Sequence, residues 1–198
     1  QSKRDAIERI QSLAAPLQVS VERTPGYLYT ERESDLDFLA NELDAARRAG
    51  CAVEWVDDVP LPFATKGGVR WDTQAQVHAS SYLFALAKEA ASRGVEIFEQ
   101  TKVSNVHEGE PCRVETERHV VSAEHVFVAA NVPVNNRVLL HTKIAAYRSY
   151  AIAAEVEPGY LRGLFWDTDD PYHYTRPHEA GGKSYLVIGG EDHRTGEE

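Results

Sequence analysis

The sequence predicts an α+β fold, a mixed and largely antiparallel sheet flanked by helices. Three observations predict it. Apolar stripes at helical spacing are confined to the first half of the 198 residues. From residue 144 onward the chain is mostly short strands. Between the two halves lies a succession of short pieces of the kind that builds a mixed sheet. A helix-rich half followed by a strand-rich half also fits a fragment of a two-domain α/β protein. Hydrophobic residues make up 42% of the chain, enough to bury a core.

Ile7, Ile10 and Leu13 recur at helical spacing and predict a first helix over residues 2–14, stopped before Pro16. "VSVERTPGYLYT" alternates around a Pro-Gly pair and reads as a hairpin or a bent strand. Leu36, Leu39 and Leu43 stripe a second helix, with Ser34 able to cap it and Gly50 ending it. "CAVEWVDD" is a short strand. "VPLPFATKGGVRWDTQAQVH" is marked by Pro and Gly and reads as a long loop, where binding residues collect. A third helix over 78–93 carries Tyr82, Leu86 and Ala90 on one side and stops at Gly94. "VEIFEQ", "TKVSNVHEG", "CRVETE" and "HVVSAEHVFVAA" read as strands, and so do "IAAYRSYAIAAEV", "GLFWDT", "YHYTRP" and "KSYLVIGG".

Composition excludes several classes. No run reaches the ~18 apolar residues of a spanning helix, and the start lacks the basic-then-apolar order of a signal peptide. With 31 acidic against 21 basic residues and a formal charge of −10, phosphate backbones are repelled, so nucleic acid is not an expected partner. Cys51 and Cys112 have no CxxC spacing and no nearby His, which argues against a disulfide framework and for a reducing cytoplasm. The chain contains no methionine and begins inside a predicted helix, which predicts a piece of a longer protein.

Three strings carry candidate chemistry. In "VFVAANVPVNN" an apolar run collapses to Ala129, Ala130 and Asn131, leaving room for a backbone or a flat ligand; a tightly packed corner would look the same. In "WDTDDPYHYTRPHE", alternation puts Tyr172, Tyr174 and Arg176 on one face. A Tyr and Arg face suits gripping a carboxylate, by a bidentate guanidinium contact and a phenol hydrogen bond, although a polar outer sheet face would show the same pattern. Asp167, Asp169, Asp170, His173 and His178 could form a metal site, but no second cluster pairs with them and loop carboxylates beside a Pro turn are ordinarily solvated, so no metal is assigned. In "YLVIGGEDHRTG" a buried strand is delivered to Gly189 and Gly190.

The order helix, Gly94, "VEIFEQTKVSNV", acidic hairpin, "AEHVFVAAN" resembles the middle of the D-amino-acid-oxidase-like family of FAD-dependent oxidoreductases, best from Gly67 to Gly196. Asn131 stands where the family more often has Gly, and Ala where it more often has Thr. The stretch "QAQVHASSY" resembles the "QAQ.HP..Y" of the subgroup fused to a C-terminal Rieske iron-sulfur module, with Ala79 in place of Pro. The resemblance implies a central fragment of a two-domain flavoprotein: 1–66 on the substrate side, 67–137 in the FAD-binding domain, and 138–198 a substrate-binding sheet returning toward it. It implies a cofactor-lining role for Gln76, His78, Val103, Ala129, Ala130, Asn131, Gly189 and Gly190, with Gln74 beside them. It implies substrate contacts for Tyr147, Arg148, Tyr172, Tyr174, Arg176 and His193, at most one of the adjacent Tyr147 and Arg148 facing the cavity. Gln and His beside a helix start are also ordinary capping residues. The implied activity is oxidation of an amine or amino-acid C–N bond by hydride transfer to flavin, with electrons passing to oxygen or to a Rieske 2Fe-2S cluster. No G-x-G-x-x-G occurs in the 198 residues, so the chain by itself is expected to hold FAD poorly or not at all. Two other readings stand beside it: a non-catalytic α+β module binding a ligand or protein, and a metal-dependent hydrolase.

Overall fold

The computed structural model describes residues 2–131, 134 and 144–196. Contacts group them into two units, residues 1–90 with 148–193, and residues 91–147 with 194–198. Residues 67–77 pair with the first strand and so belong to its sheet.

The first unit begins with helix α1 (Ser2–Ala14) and strand β1 (Val21–Thr30), then α2 (Leu36–Arg48), β2 (Val53–Val56), β3 (Gly67–Val77) and most of α3 (Ala79–Ser92). Strands β7 (Tyr147–Val156), β8 (Leu164–Trp166), β9 (His173–Ala180) and β10 (Lys183–Arg194) complete it. One sheet runs in the order β2-β3-β1-β8-β9-β10-β7. The pairs β2/β3, β3/β1, β8/β9 and β9/β10 are antiparallel, while β1 and β8 run parallel over Gly26↔Leu164 to Leu28↔Trp166. That parallel seam joins the early strands to the late ones.

Alternation along β1 sends Tyr27 and Tyr29 to one side and Leu28 to the other. Tyr27, Tyr29, Val59, Leu161 and Phe165 form one buried cluster, with the Tyr27 and Phe165 rings stacked at 5.1 Å. Burial, helped by the charge of Asp167, pushes the Tyr29 phenol up to about 12. Leu39 and Leu43 of α2 pack with Val69, flanked by Leu28, Val53, Trp55 and Trp71. Ser34 does not cap α2. Its hydroxyl donates to Asp35, and a 3₁₀ turn over Glu33–Asp35 leads into the helix.

Residues 67–77, expected as loop, are an eleven-residue strand. The polar side chains that suggested a loop lie along a strand paired on both sides, by β2 and by β1. "VSVERTPGYLYT" is the bent strand, its register with β3 shifting between Thr24 and Gly26. Gly26 is required at that bend: a Cβ would press on the side chains of Gln74 and Trp166.

The second unit holds the three-stranded sheet β4 (Val103–His107), β5 (Cys112–Thr116) and β6 (Val120–Ala123), paired in that order. Two expected strands are not formed. Residues 95–100, "VEIFEQ", have no ladder. Neither do residues 125–130: Phe127 is 94% exposed and Val128 is 58% exposed. An apolar run becomes a strand only when a neighbour supplies hydrogen bonds and covers it, and among the described residues none does so here. Residues 132, 133 and 135–143, which carry the rest of "VFVAANVPVNN", lie outside the described residues.

Candidate functional site

Strand β9 places Tyr174 and Arg176 on the same face, and Tyr172, just before it, joins them with its ring 6.4 Å from that of Tyr174. The residue opposite Tyr174 on β10 is Gly189, and a Cβ there would collide with the phenol ring. Gly189 thus makes room for Tyr174 to lie across the strand. The next residue, Gly190, has φ +153°, and a Cβ on it would meet the carbonyl of Tyr172.

Arg176 donates from Nη1 to Gln76 Oε1 at 3.1 Å, and Gln76 Nε2 donates to Glu22 Oε2 at 2.7 Å. Gln76, Trp166, Tyr174 and Arg176 line one cavity of about 290 Å³, with Leu164 beside them. Among the described residues Arg176 makes no ion pair. A half-buried guanidinium with a neutral amide as its partner keeps its charge available for an anion in that cavity. The sequence singles out Gln76 and Arg176 as site residues. It does not single out Trp166 or Glu22 as such: Glu22 is 54 residues from Gln76 and carries no local signal.

His78 performs the capping role, its Nδ1 accepting from the Ser81 amide at 3.3 Å at the start of α3. Its ring packs 4.9 Å from that of His178, and burial, then the Arg176 charge, hold His178 below the usual histidine range. Tyr147 and Arg148 are exposed on β7 and line neither this cavity nor the one in the second unit. His193 stacks on Tyr150 at 5.3 Å, and its Nδ1 contacts the Glu191 carbonyl at 2.9 Å.

The Asp and His residues around the loop after β8 serve one another. His173 Nδ1 lies 2.7 Å from Asp167 Oδ2, and its Nε2 lies 3.1 Å from Glu191 Oε1. Arg32 holds Asp169 at 2.7 Å and Asp35 at 2.8 Å, and Thr168 bridges Asp35 to Thr30. These contacts pin that loop to the end of β1. Arg32 keeps the Asp35 carboxyl well below the usual carboxylate range. Although donor atoms of Asp167, Asp169 and His173 lie within 4.8 Å of one another, Asp169 is already paired with the Arg32 guanidinium and Asp167 with the His173 ring. His178 is not in the group, because an odd offset of five residues along the strand turns it to the face opposite His173.

Asp167, then Glu191, raises the pKa of His173. A raised folded-state value means this stabilisation is fully present below the unfolded pKa of about 6.5 and is lost as pH rises through the folded value. The expected result is that His173→Gln lowers Tm at pH 6 and that the gap narrows toward pH 9; thermal unfolding across that range checks it, and a gap independent of pH refutes it.

In the second unit, Val103 begins β4, half-buried and paired with Thr116. Ala130 and Asn131 line a cavity of about 510 Å³ together with Val106, Val126, Val128 and Ile144. Ala129 beside them is exposed. The branched apolar side of this cavity fits a flat aromatic ring system, and His107, Glu108 and Cys112 form its polar side. The amide-rich glycine turn that a pyrophosphate requires is not in the sequence. These residues therefore fit part of a dinucleotide and not its phosphates.

The DAO family of FAD dependent oxidoreductases matches residues 3–198. The Bacillus subtilis protein YhfW, provisionally named a Rieske 2Fe-2S iron-sulfur protein, is 25% identical over 201 residues, covering 100% of this chain and 40% of that protein. Glycine oxidase from Geobacillus kaustophilus superposes with a TM-score of 0.78 at 20% identity, over 96% of this chain and 55% of the enzyme. L-proline dehydrogenase from P. horikoshii gives 0.77 at 15% identity, over 97% and 55%. L-amino acid deaminase from Proteus vulgaris gives 0.68 at 15%, over 91% and 46%. The chain thus spans about half the length, or less, of the proteins it matches, and these structures share its fold.

Proposed function

The chain belongs to the DAO family of FAD-dependent oxidoreductases, and from that premise we propose that the whole protein oxidises the C–N bond of a carboxylate-bearing amine, such as an amino acid. The observation that carries this reading is Arg176, a guanidinium without an ion-pair partner among the described residues, beside Tyr174 and Trp166 in one cavity. Arg176 takes the substrate carboxylate by charge-assisted hydrogen bonds, and the Tyr174 hydroxyl adds a neutral one. Trp166 and Leu164 exclude water from the rest of the substrate. Fixing the carboxylate fixes the neighbouring carbon, which is the positioning such a reaction needs from the protein. When bound, FAD supplies the acceptor for the hydride that leaves that carbon as the nitrogen loses a proton and C–N becomes C=N; water then releases the carbonyl product and the amine.

Val103, Ala129, Ala130 and Asn131 are the residues proposed to line the cofactor from this chain. The names of three solved relatives, an oxidase, a dehydrogenase and a deaminase of amino acids, support the substrate class. The name of the Bacillus relative supports a Rieske cluster as electron acceptor, held by residues other than these 198. The family resemblance also makes Gln74, Tyr147, Arg148, Tyr172, Gly189, Gly190 and His193 proposed substrate or cofactor contacts.

The test is anaerobic mixing of the full-length, FAD-loaded protein with a panel of L- and D-amino acids and N-methyl amino acids. Bleaching of the flavin's visible absorbance by a member of the panel, with imine-derived carbonyl product, is the expected outcome; a panel that leaves the flavin oxidised throughout overturns the proposal. The 198-residue chain purified by itself is expected to carry no stoichiometric FAD, as its absorbance spectrum will show; a yellow protein would refute that expectation.

A further inference from the structure

We propose that Gln76 is a positioning residue that aims Arg176 at the substrate carboxylate while leaving its charge unneutralised, an inference that rests on the carboxylate reading above. A guanidinium only donates and a carboxylate only accepts, so a side chain that bridges Arg176 and Glu22 must accept at one end and donate at the other. A carboxamide does this, and the two neighbours dictate which end carries the oxygen: Oε1 faces Arg176 at 3.1 Å and Nε2 faces Glu22 at 2.7 Å.

The three residues come from β1, β3 and β9. Strands β1 and β8 lie between β3 and β9 in the sheet, so no ladder brings Gln76 and Arg176 together. Their side chains reach across the sheet face, and both line the cavity of about 290 Å³. Gln76 engages one of the five guanidinium N–H groups in this contact, and among the described residues the others stay available to a ligand. A carboxylate at position 76 would pair with Arg176 and stand against Glu22. An apolar side chain would leave the guanidinium without a guide. Neutral length is therefore what the position needs. The family resemblance implies that Gln76 lines the cofactor; this geometry assigns it to the substrate.

Benzoate and benzamide, which match in shape and differ in charge, are titrated by calorimetry into the full-length, FAD-loaded protein. The wild type is expected to prefer benzoate. Gln76→Glu is expected to lose at least about tenfold in benzoate affinity, with benzamide changed by less than about threefold. Gln76→Leu, which adds no charge and decides the matter if Gln76→Glu fails to fold, is expected to weaken benzoate about fivefold. Arg176→Met is expected to abolish the preference. If Arg176→Met abolishes it while Gln76→Glu, or Gln76→Leu in its place, binds benzoate as the wild type does, the role of Gln76 is overturned and the carboxylate reading stands. A wild type with no preference, or an Arg176→Met variant that keeps one, overturns both.

Discussion

Replacing Arg176 by Met is expected to lower kcat/KM of the full-length enzyme for its amino-acid substrate by about a hundredfold or more. A charge-assisted contact in a half-enclosed cavity contributes about 3 kcal/mol, and each ~1.4 kcal/mol is a factor of ten. The loss should be specific. An amine of the same shape without the carboxylate should be oxidised by the variant within about threefold of the wild-type rate, because nothing in its binding uses the guanidinium. Steady-state kinetics on the matched pair of substrates decide the point. Equal losses on both would mean that Arg176 supports the sheet and does not hold the substrate.

Phe165→Ala is expected to destabilise the first unit by about 4 kcal/mol, a large share of the ~5–15 kcal/mol that holds a typical domain folded. Phe165 is 1% exposed, stacks on Tyr27, and sits in the cluster with Tyr29, Val59 and Leu161. Strand β8 has only three residues, so Phe165 anchors one side of it while Trp166 presents the other side to the cavity. Removing the anchor should therefore also weaken carboxylate binding at Arg176. Urea denaturation followed by tryptophan fluorescence measures the first effect. A loss below about 1 kcal/mol would show that the parallel seam between β1 and β8 does not depend on this ring.

Where sequence and structure differ, the causes are physical. Residues 67–77 resemble a loop because Pro precedes them, Gly opens them and Gln, Arg and Asp fill them. Those polar side chains reflect the surroundings of the strand: Arg70 pairs with Glu54 and Asp72, and Gln76 faces the cavity. Residues 125–130 resemble a strand because they are apolar, but apolar character demands a cover and does not provide one. Metal spacing between His173 and His178 is visible in the sequence, yet alternation along β9 turns the two to opposite faces.

By itself the sequence determined the local periods. It placed three helices close to their observed spans, with φ +75° at Gly50 and +89° at Gly94 marking two of their ends. It also put Tyr172, Tyr174 and Arg176 on one side, because strand alternation is a property of the backbone alone. Which partners those side chains meet was decided only by tertiary structure. Gln76 and Arg176 are 100 residues apart, and Trp166 reaches them through a strand of three residues that pairs in parallel with β1. Strand pairing is made by hydrogen bonds between groups every residue carries, so local sequence gives the face a side chain occupies, while the assembled sheet chooses its neighbour.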